Sequence, residues 1–120
     1  MLERLRDLPD EVVGVKASGE VTGDDYRTVL LPAVEEALEG GRKLRFLYVL
    51  GDDVTGFSAG AAWQDTKVGM GHYDRWEKVA VVSDKEWLRH SVEIFGYLIP
   101  GEIKAFTLDK EAEARRWVIG

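Results

Sequence analysis

Residues 47–63 read LYVLGDDVTGFSAGAAW. An apolar run leads into an acidic loop with glycines and then into small residues that open on Ser58. The order predicts a strand, the loop at its carboxyl end and the first turns of a helix. In open α/β sheets, ligands and partners meet the fold at such an edge. Just upstream, Lys43 to Leu50 (KLRFLYVL) loses its polar alternation halfway along. A continuous apolar run bounded by turn residues predicts a strand buried on both faces, hence central and parallel to a neighbour. Downstream, Ala59, Gly60, Ala61 and Ala62 are small enough for the helix backbone to approach the sheet closely, and Trp63, Thr66 and Met70 continue one face.

Working back from this centre, Met1 to Leu5 alternates apolar and charged residues, as a short strand with one wet face does. Asp7-Leu8-Pro9-Asp10 is a turn, because proline presets φ and aspartate caps the bend. Val13, Val15 and Ala17 alternate with Gly14, Lys16 and Ser18, which predicts a second, half-buried strand in an antiparallel hairpin with the first. Thr22 then suits an N-cap, with Asp24 and Asp25 in the first turn where the helix dipole favours negative charge. Tyr26, Val29, Leu30, Ala33, Val34, Ala37 and Leu38 follow at helical spacing. Pro32 interrupts this stripe and predicts a kink. Gly40-Gly41 stops the helix.

Toward the carboxyl end, Gly69 and Gly71 weaken the second helix, and a short helical turn is expected through Tyr73 to Trp76. Lys78 to Ser83 contains VAVVS, a third buried strand. Asp84 is placed to cap a third helix with Leu88, Ser91, Val92, Phe95 and Ile99 on one face, widened by Trp87, Ile94 and Leu98. Pro100-Gly101 ends it. Ile103, Ala105 and Thr107 form a last strand, and Asp109 is expected to cap a helix carrying Ala112, Trp117 and Val118. The fold class is α/β: an N-terminal antiparallel hairpin, then βα repeats, giving a mixed sheet covered by about four helices.

Composition narrows the function. At 120 residues and 45% hydrophobic, the chain is expected to form one domain over residues 1–120 with a core of its own. It has no cysteine, which excludes a disulfide framework and any thiolate zinc site. A reducing cytoplasm is the expected location. Acidic residues outnumber basic ones, 22 to 16, for a net charge of -6. Binding to a phosphate backbone needs a concentrated basic face; here Lys and Arg are scattered, so nucleic acid is not an expected partner. The longest apolar run, Phe46 to Leu50, is far short of the ~20 residues a membrane span needs.

Gly19-Glu20-Val21-Thr22 followed by an amphipathic helix resembles the signature that opens the first helix of STAS domains, the fold of anti-sigma-factor antagonists. Over essentially its full length the chain resembles the bacterial SpoIIAA-like family of small STAS-like proteins. YVLGDDVTGFSAGAAW, RWEKVAVVSD and the stretch from Trp87 to Pro100-Gly101-Glu102 carry the resemblance. In antagonist STAS domains a serine at the start of the helix after the central strand is phosphorylated, and Ser58 occupies the comparable place. The Asp-Ser-Ser/Thr-Gly motif of those domains is replaced here by Gly56-Phe57-Ser58-Ala59-Gly60. The SpoIIAA-like resemblance implies instead a hydrophobic groove, likened to lipid carriers, and membrane association.

Each candidate residue has a plainer reading beside the functional one. Ser58 suits an N-cap as well as a phosphoacceptor at a helix N-terminus. Asp52 and Asp53 have no third ligand at metal-binding spacing and read as a solvated acidic turn. Gly51, Gly56 and Gly60 lack the order of a phosphate cradle. His72 and His90 lack a diagnostic partner, and His72, beside Tyr73, is the better placed to line a site. The apolar surplus is more telling. Trp63, Met70, Trp76, Trp87, Ile94 and Leu98 exceed what two short helices need to cover a sheet; the alternatives are core, a homodimer contact or a groove.

The expectation is a non-catalytic binding or regulatory domain with no metal and no cofactor. It would hold a small hydrophobic ligand or a membrane surface between its second and third helices. Phe57, Trp63, Met70, Trp87, Ile94, Phe95 and Leu98 would supply apolar contact, and Ser58, His72 and Tyr73 polar contact. The alternative expectation is an antagonist-like switch whose protein partner is released by phosphate on Ser58.

Overall fold

The computed structural model describes residues 1–9, 11–39, 43–57, 76–86 and 101–120. Five strands form one sheet: β1 (Leu2–Leu5), β2 (Val12–Ala17), β4 (Leu44–Leu50), β6 (Trp76–Val82) and β7 (Glu102–Phe106). Their spatial order is β1-β2-β4-β6-β7, so the two-sided apolar strand β4 is central, as its sequence requires. β1 and β2 are antiparallel, with Leu2 opposite Ala17. β2, β4, β6 and β7 are all parallel, with Val15 opposite Tyr48 and Tyr48 opposite Val81. The fold is therefore mixed α/β.

Two helical segments lie among the described residues, against the four or so expected. The other two predicted helices, one opening at Ser58 and one capped by Asp84 and running to Ile99, fall mainly within 58–75 and 87–100, outside those residues. The first segment comprises α1 (Gly23–Asp25), a π-helical stretch (Tyr26–Leu30) and α2 (Leu31–Ala37). It begins on a capping box: Asp25 N–H donates to Thr22 Oγ1 (3.3 Å) and Thr22 N–H donates to Asp25 Oδ2 (2.8 Å). Pro32 explains the π-helical stretch. A proline lacks the N–H and crowds the carbonyl four residues back. Leu31 N–H bonds instead to Tyr26 O, five residues back, and this wider turn absorbs the proline. The kink predicted at Pro32 thus takes the form of a change in helix type.

Partial burial pushes the Asp25 carboxyl up, but hydrogen bonds from Thr22 and the positive amino group of Met1 outweigh it and hold the pKa below the ordinary 3.8. A carboxyl with a lowered folded-state pKa contributes its stability above the unfolded value and loses it as pH falls through the folded value. Asp25→Asn is therefore expected to cost a constant amount near neutral pH, about 1 kcal/mol or less for one capping interaction. That difference shrinks below pH 3.8. Urea melts of both proteins across the acid range check this.

Both faces of the sheet carry a packed core. One face carries Val13, Val15, Ala17, Phe46, Tyr48, Leu50 and Val79, packed against Tyr26, Leu30, Ala33, Val34, Ala37 and Leu38 of the first helical segment. The predicted helical stripe is the buried one. The other face carries Val12, Leu47, Val49, Ala80, Val82 and Phe106, closed by Ala114 and Val118 of the last helix, α3 (Glu111–Ile119). Because side chains alternate along a strand, β4 feeds both cores.

Several local expectations are corrected. β2 is buried at every position but Lys16, not half-buried. The reason is Leu8 of the preceding turn, which lies so close over Gly14 that a Cβ there would meet its Cδ1 at 2.3 Å. Trp76 starts strand β6 and is not part of a helical turn. Asp109 does not cap α3. It sits in a 3₁₀ turn (Leu108–Lys110) ahead of that helix and accepts a hydrogen bond from the Thr107 hydroxyl. Ala112 is exposed, and Ala114 takes the buried position. Asp84 accepts from Leu108 N–H (2.9 Å) and so holds the 3₁₀ turn to the end of β6, while the helix it is expected to cap runs into residues 87–100, outside the described ones.

The carboxyl end of α3 is held by two cations from the sheet. Arg45 of β4 donates from Nη1 to the carbonyls of Val118 (3.1 Å) and Ile119 (2.7 Å), and from Nε to Glu77 (2.5 Å). Lys78 donates to Trp117 O (3.1 Å). Positive charge at a helix carboxyl end satisfies orphan carbonyls and opposes the dipole. Arg45→Met should destabilise the fold by about 1–3 kcal/mol, since it removes charge-assisted bonds from a half-buried site; a chemical melt measures it.

Candidate functional site

The loop that follows β4 lies at the carboxyl edge of the parallel strands. Gly51 N–H donates to Ala17 O (3.2 Å), Val54 N–H to Gly51 O (3.1 Å) and Thr55 N–H to Gly19 O (3.0 Å). Val54 is buried while Asp52 and Asp53 are exposed at the tip. Gly19 has φ +58°, the left-handed geometry that glycine adopts at little cost, and this turns the chain from β2 into β3 (Glu20–Val21). β3 pairs in parallel with β5 (Gly56–Phe57), Val21 opposite Phe57. This small second sheet is absent from the sequence reading. It fixes the backbone immediately before Ser58 against the strand that leads into the Thr22 cap.

Phe57 thus lies in β5. Ser58, Trp63, Met70, His72, Tyr73, Trp87, Ile94, Phe95 and Leu98 lie outside the described residues, as does His90. The acidic pair behaves as a solvated turn, and among the described residues no group of three or more Asp, Glu or His is placed to hold a metal ion.

Two features border this edge. On the α3 face, a cleft of about 490 Å³ is lined by Glu3, Lys16, Ser18, Val49, Asp52, Asp53, Leu108 and Glu111 among others. Glu3 and Lys16 are register partners across β1 and β2, so one ammonium faces several carboxylates. The sequence reading missed this grouping. Its one signal is Lys16, the lone exposed residue of β2.

On the opposite face, an aromatic series crosses the sheet. Trp76 meets Phe46 edge-on (5.9 Å between centroids, 88°), Phe46 meets Tyr48 (5.5 Å, 79°), and the Tyr48 and Tyr26 hydroxyls lie 3.0 Å apart in the core. Beyond it, Trp76, Val81 and Ile103 pack against the core yet stay partly exposed. They form an apolar strip on the β6–β7 half of the face, whereas the first helical segment packs on β1 and β2. The Trp76 indole N–H is buried without a hydrogen-bond partner among the described residues. No helix among them is long and apolar enough to cross a membrane.

A mixed five-stranded sheet opened by a hairpin, with a Thr-capped helix on one face, defines a STAS-like α/β domain, the fold of regulatory and protein-interaction modules. The model of one family, described as SpoIIAA-like, matches residues 12–119, and the chain belongs to that family. Among solved structures it is similar to an uncharacterised protein of the DUF3478 family from Shewanella loihica PV-4, described as having a SpoIIAA-like fold. Identity is 28% and the TM-score 0.78, over 98% of this chain and 92% of that one. No curated protein matches the sequence.

Proposed function

We propose that the protein is a non-catalytic binding module that takes an apolar ligand, or an acyl-chain surface, over the β6–β7 half of its sheet. The carrying observation is the partly exposed strip of Trp76, Val81 and Ile103 on a face otherwise packed as core. Apolar surface left open beside a packed core is favourable to cover. In this reading residues 56–70 and 84–99 form the walls, with Phe57, Trp63, Met70, Trp87, Ile94, Phe95 and Leu98 as apolar contacts. Ser58, His72 and Tyr73 supply polar contacts at the mouth. SpoIIAA-like membership supports a binding or regulatory role over catalysis.

Native mass spectrometry of the protein purified from cells should reveal an apolar adduct that denaturation releases. Fatty acids or phosphatidylglycerol vesicles should shift tryptophan emission to the blue. Ile94→Glu with Leu98→Glu should weaken that binding by about tenfold or more, since each carboxylate must be desolvated in the groove. Absence of both adduct and emission shift overturns the reading.

One observation favours a second role for the same edge. β5 pins the residue before Ser58 to β3, next to the start of the first helical segment. Phosphate on Ser58 would then add negative charge beside a helix entrance and alter binding of a protein partner. Phosphopeptide mapping in the native host, with pull-downs comparing wild type and Ser58→Asp, tests it; unmodified Ser58 and equal partner recovery would end it.

A further inference from the structure

We infer that the protein forms a two-fold dimer in which β7 pairs antiparallel with β7 of a second copy, extending the sheet across the axis. Among the described residues β7 is the last strand of the sheet and has β6 as its ladder partner. Ser83 N–H donates to Phe106 O (2.9 Å), so the backbone groups of Phe106 face β6. Backbone polar groups alternate in direction along a strand, which turns Glu102 and Lys104 toward β6 as well. The N–H and C=O of Ile103 and Ala105 therefore point away from β6, and among the described residues they have no partner strand.

Side-chain chemistry selects the occupant. Glu102, Ile103 and Lys104 read acid, apolar, base. In an antiparallel pair centred on Ile103, Ile103 exchanges both backbone hydrogen bonds with its own copy. Glu102 then lies opposite Lys104 of the second copy, and Lys104 opposite Glu102, in the closely spaced non-hydrogen-bonded positions. The pairing is isologous and closes on itself, as two-fold interfaces do. Both charged residues are exposed, and Glu102 has no ion-pair partner among the described residues. Lys104 extends over the Phe106 ring (5.3 Å) and the Trp117 ring (6.0 Å), on the α3 face of the strand. An open hollow of about 380 Å³ bordered by Gly101, Glu102, Ile103, Lys104 and Trp117 leaves room there for the incoming strand. The opposite edge offers no such match: Arg4 of β1 already pairs with Glu36 (3.1 Å).

Sedimentation velocity and light scattering on the full chain over a wide concentration range provide the test. Wild type is expected to show a reversible monomer–dimer equilibrium. Ile103→Pro removes an outward N–H without breaking the β6 ladder, an edge position that tolerates proline, and should weaken the dimer about tenfold or more. Lys104→Glu and Glu102→Lys should each weaken it roughly tenfold by placing like charges opposite one another. The double exchange Glu102→Lys/Lys104→Glu should restore it, a recovery that holds even if Ile103→Pro fails to fold. A wild type that stays monomeric overturns the inference. So does a dimer unaffected by charge reversal, or a double exchange that gains nothing. A monomer that instead captures an extended peptide along β7 would also overturn it.

Discussion

Leu47→Ala is expected to lower the unfolding free energy by about 2–5 kcal/mol, the range for deleting a fully buried leucine side chain. Leu47 is wholly buried at the middle of the central strand. Its side chain belongs to the smaller of the two cores, whose other sheet members are valines, alanine and Phe106. Opposite it, α3 contributes Ala114 and Val118, short side chains on a helix held at its carboxyl end by Arg45 and Lys78. Such a contact collapses poorly into a vacated volume, because strand backbones on either side of β4 are fixed by their ladders. A domain of this size has roughly 5–15 kcal/mol in total, so the variant sits near the threshold of folding. Urea denaturation should show a lower midpoint with an unchanged slope. A loss below about 1 kcal/mol would mean that α3 does not seal this face.

Gly101→Ala should cost about 1–3 kcal/mol, the usual penalty for overpacking a site that cannot give way. A Cβ at Gly101 would lie 2.6 Å from Trp76 O and 2.9 Å from Glu77 O, and both are main-chain atoms. The site coincides with an irregularity in the sheet. Leu44 is opposite Trp76 but Arg45 is opposite Lys78, so Glu77 is an extra residue in β6 at this point. The bulge frees Glu77 to meet Arg45, and it brings the β6 backbone against the start of β7. Moving β7 away would disturb both the Arg45 clamp on α3 and the outer edge of the sheet. Gly14→Ala is the control. Its closest neighbour is the tip of Leu8, a side chain that can rotate, so it should cost less. Thermal melts of the two variants side by side separate the cases; equal losses would mean that the β6–β7 backbone is softer than its packing implies.

Much of the architecture is legible in the residues because one-dimensional patterns report burial directly. KLRFLYVL could only be buried on two sides, and it is central. The stripe from Tyr26 to Leu38 has a single apolar face, and that face packs on the sheet. Thr22 caps the first helix as read, and the structure adds Asp25 as the second half of a capping box. The β1–β2 hairpin and the parallel direction of β4 follow from the same reasoning.

The errors share a physical cause: they occur where distant segments decide the outcome. β2 keeps only Lys16 wet because Leu8 folds back over Gly14. Trp76 enters a strand because Leu44 offers it a ladder partner. Asp109 gives up the cap because Thr107 and the 3₁₀ turn claim it. For the candidate groove, only the partly exposed floor and Phe57's place in β5 lie among the described residues; its predicted walls lie outside them.

What the sequence alone determined about this protein is the chain order of its five main strands, its first and last helices, its family and its two-sided central strand, since these depend on local periodicity and capping. The tertiary structure alone decided the rest. It paired β3 with β5 ahead of Ser58, gathered Glu3, Lys16 and Glu111 around one cleft, clamped α3 with Arg45 and made β7 the last strand of the sheet among the described residues. Each of these joins residues far apart in the chain, and contact between them exists only once the backbone has folded.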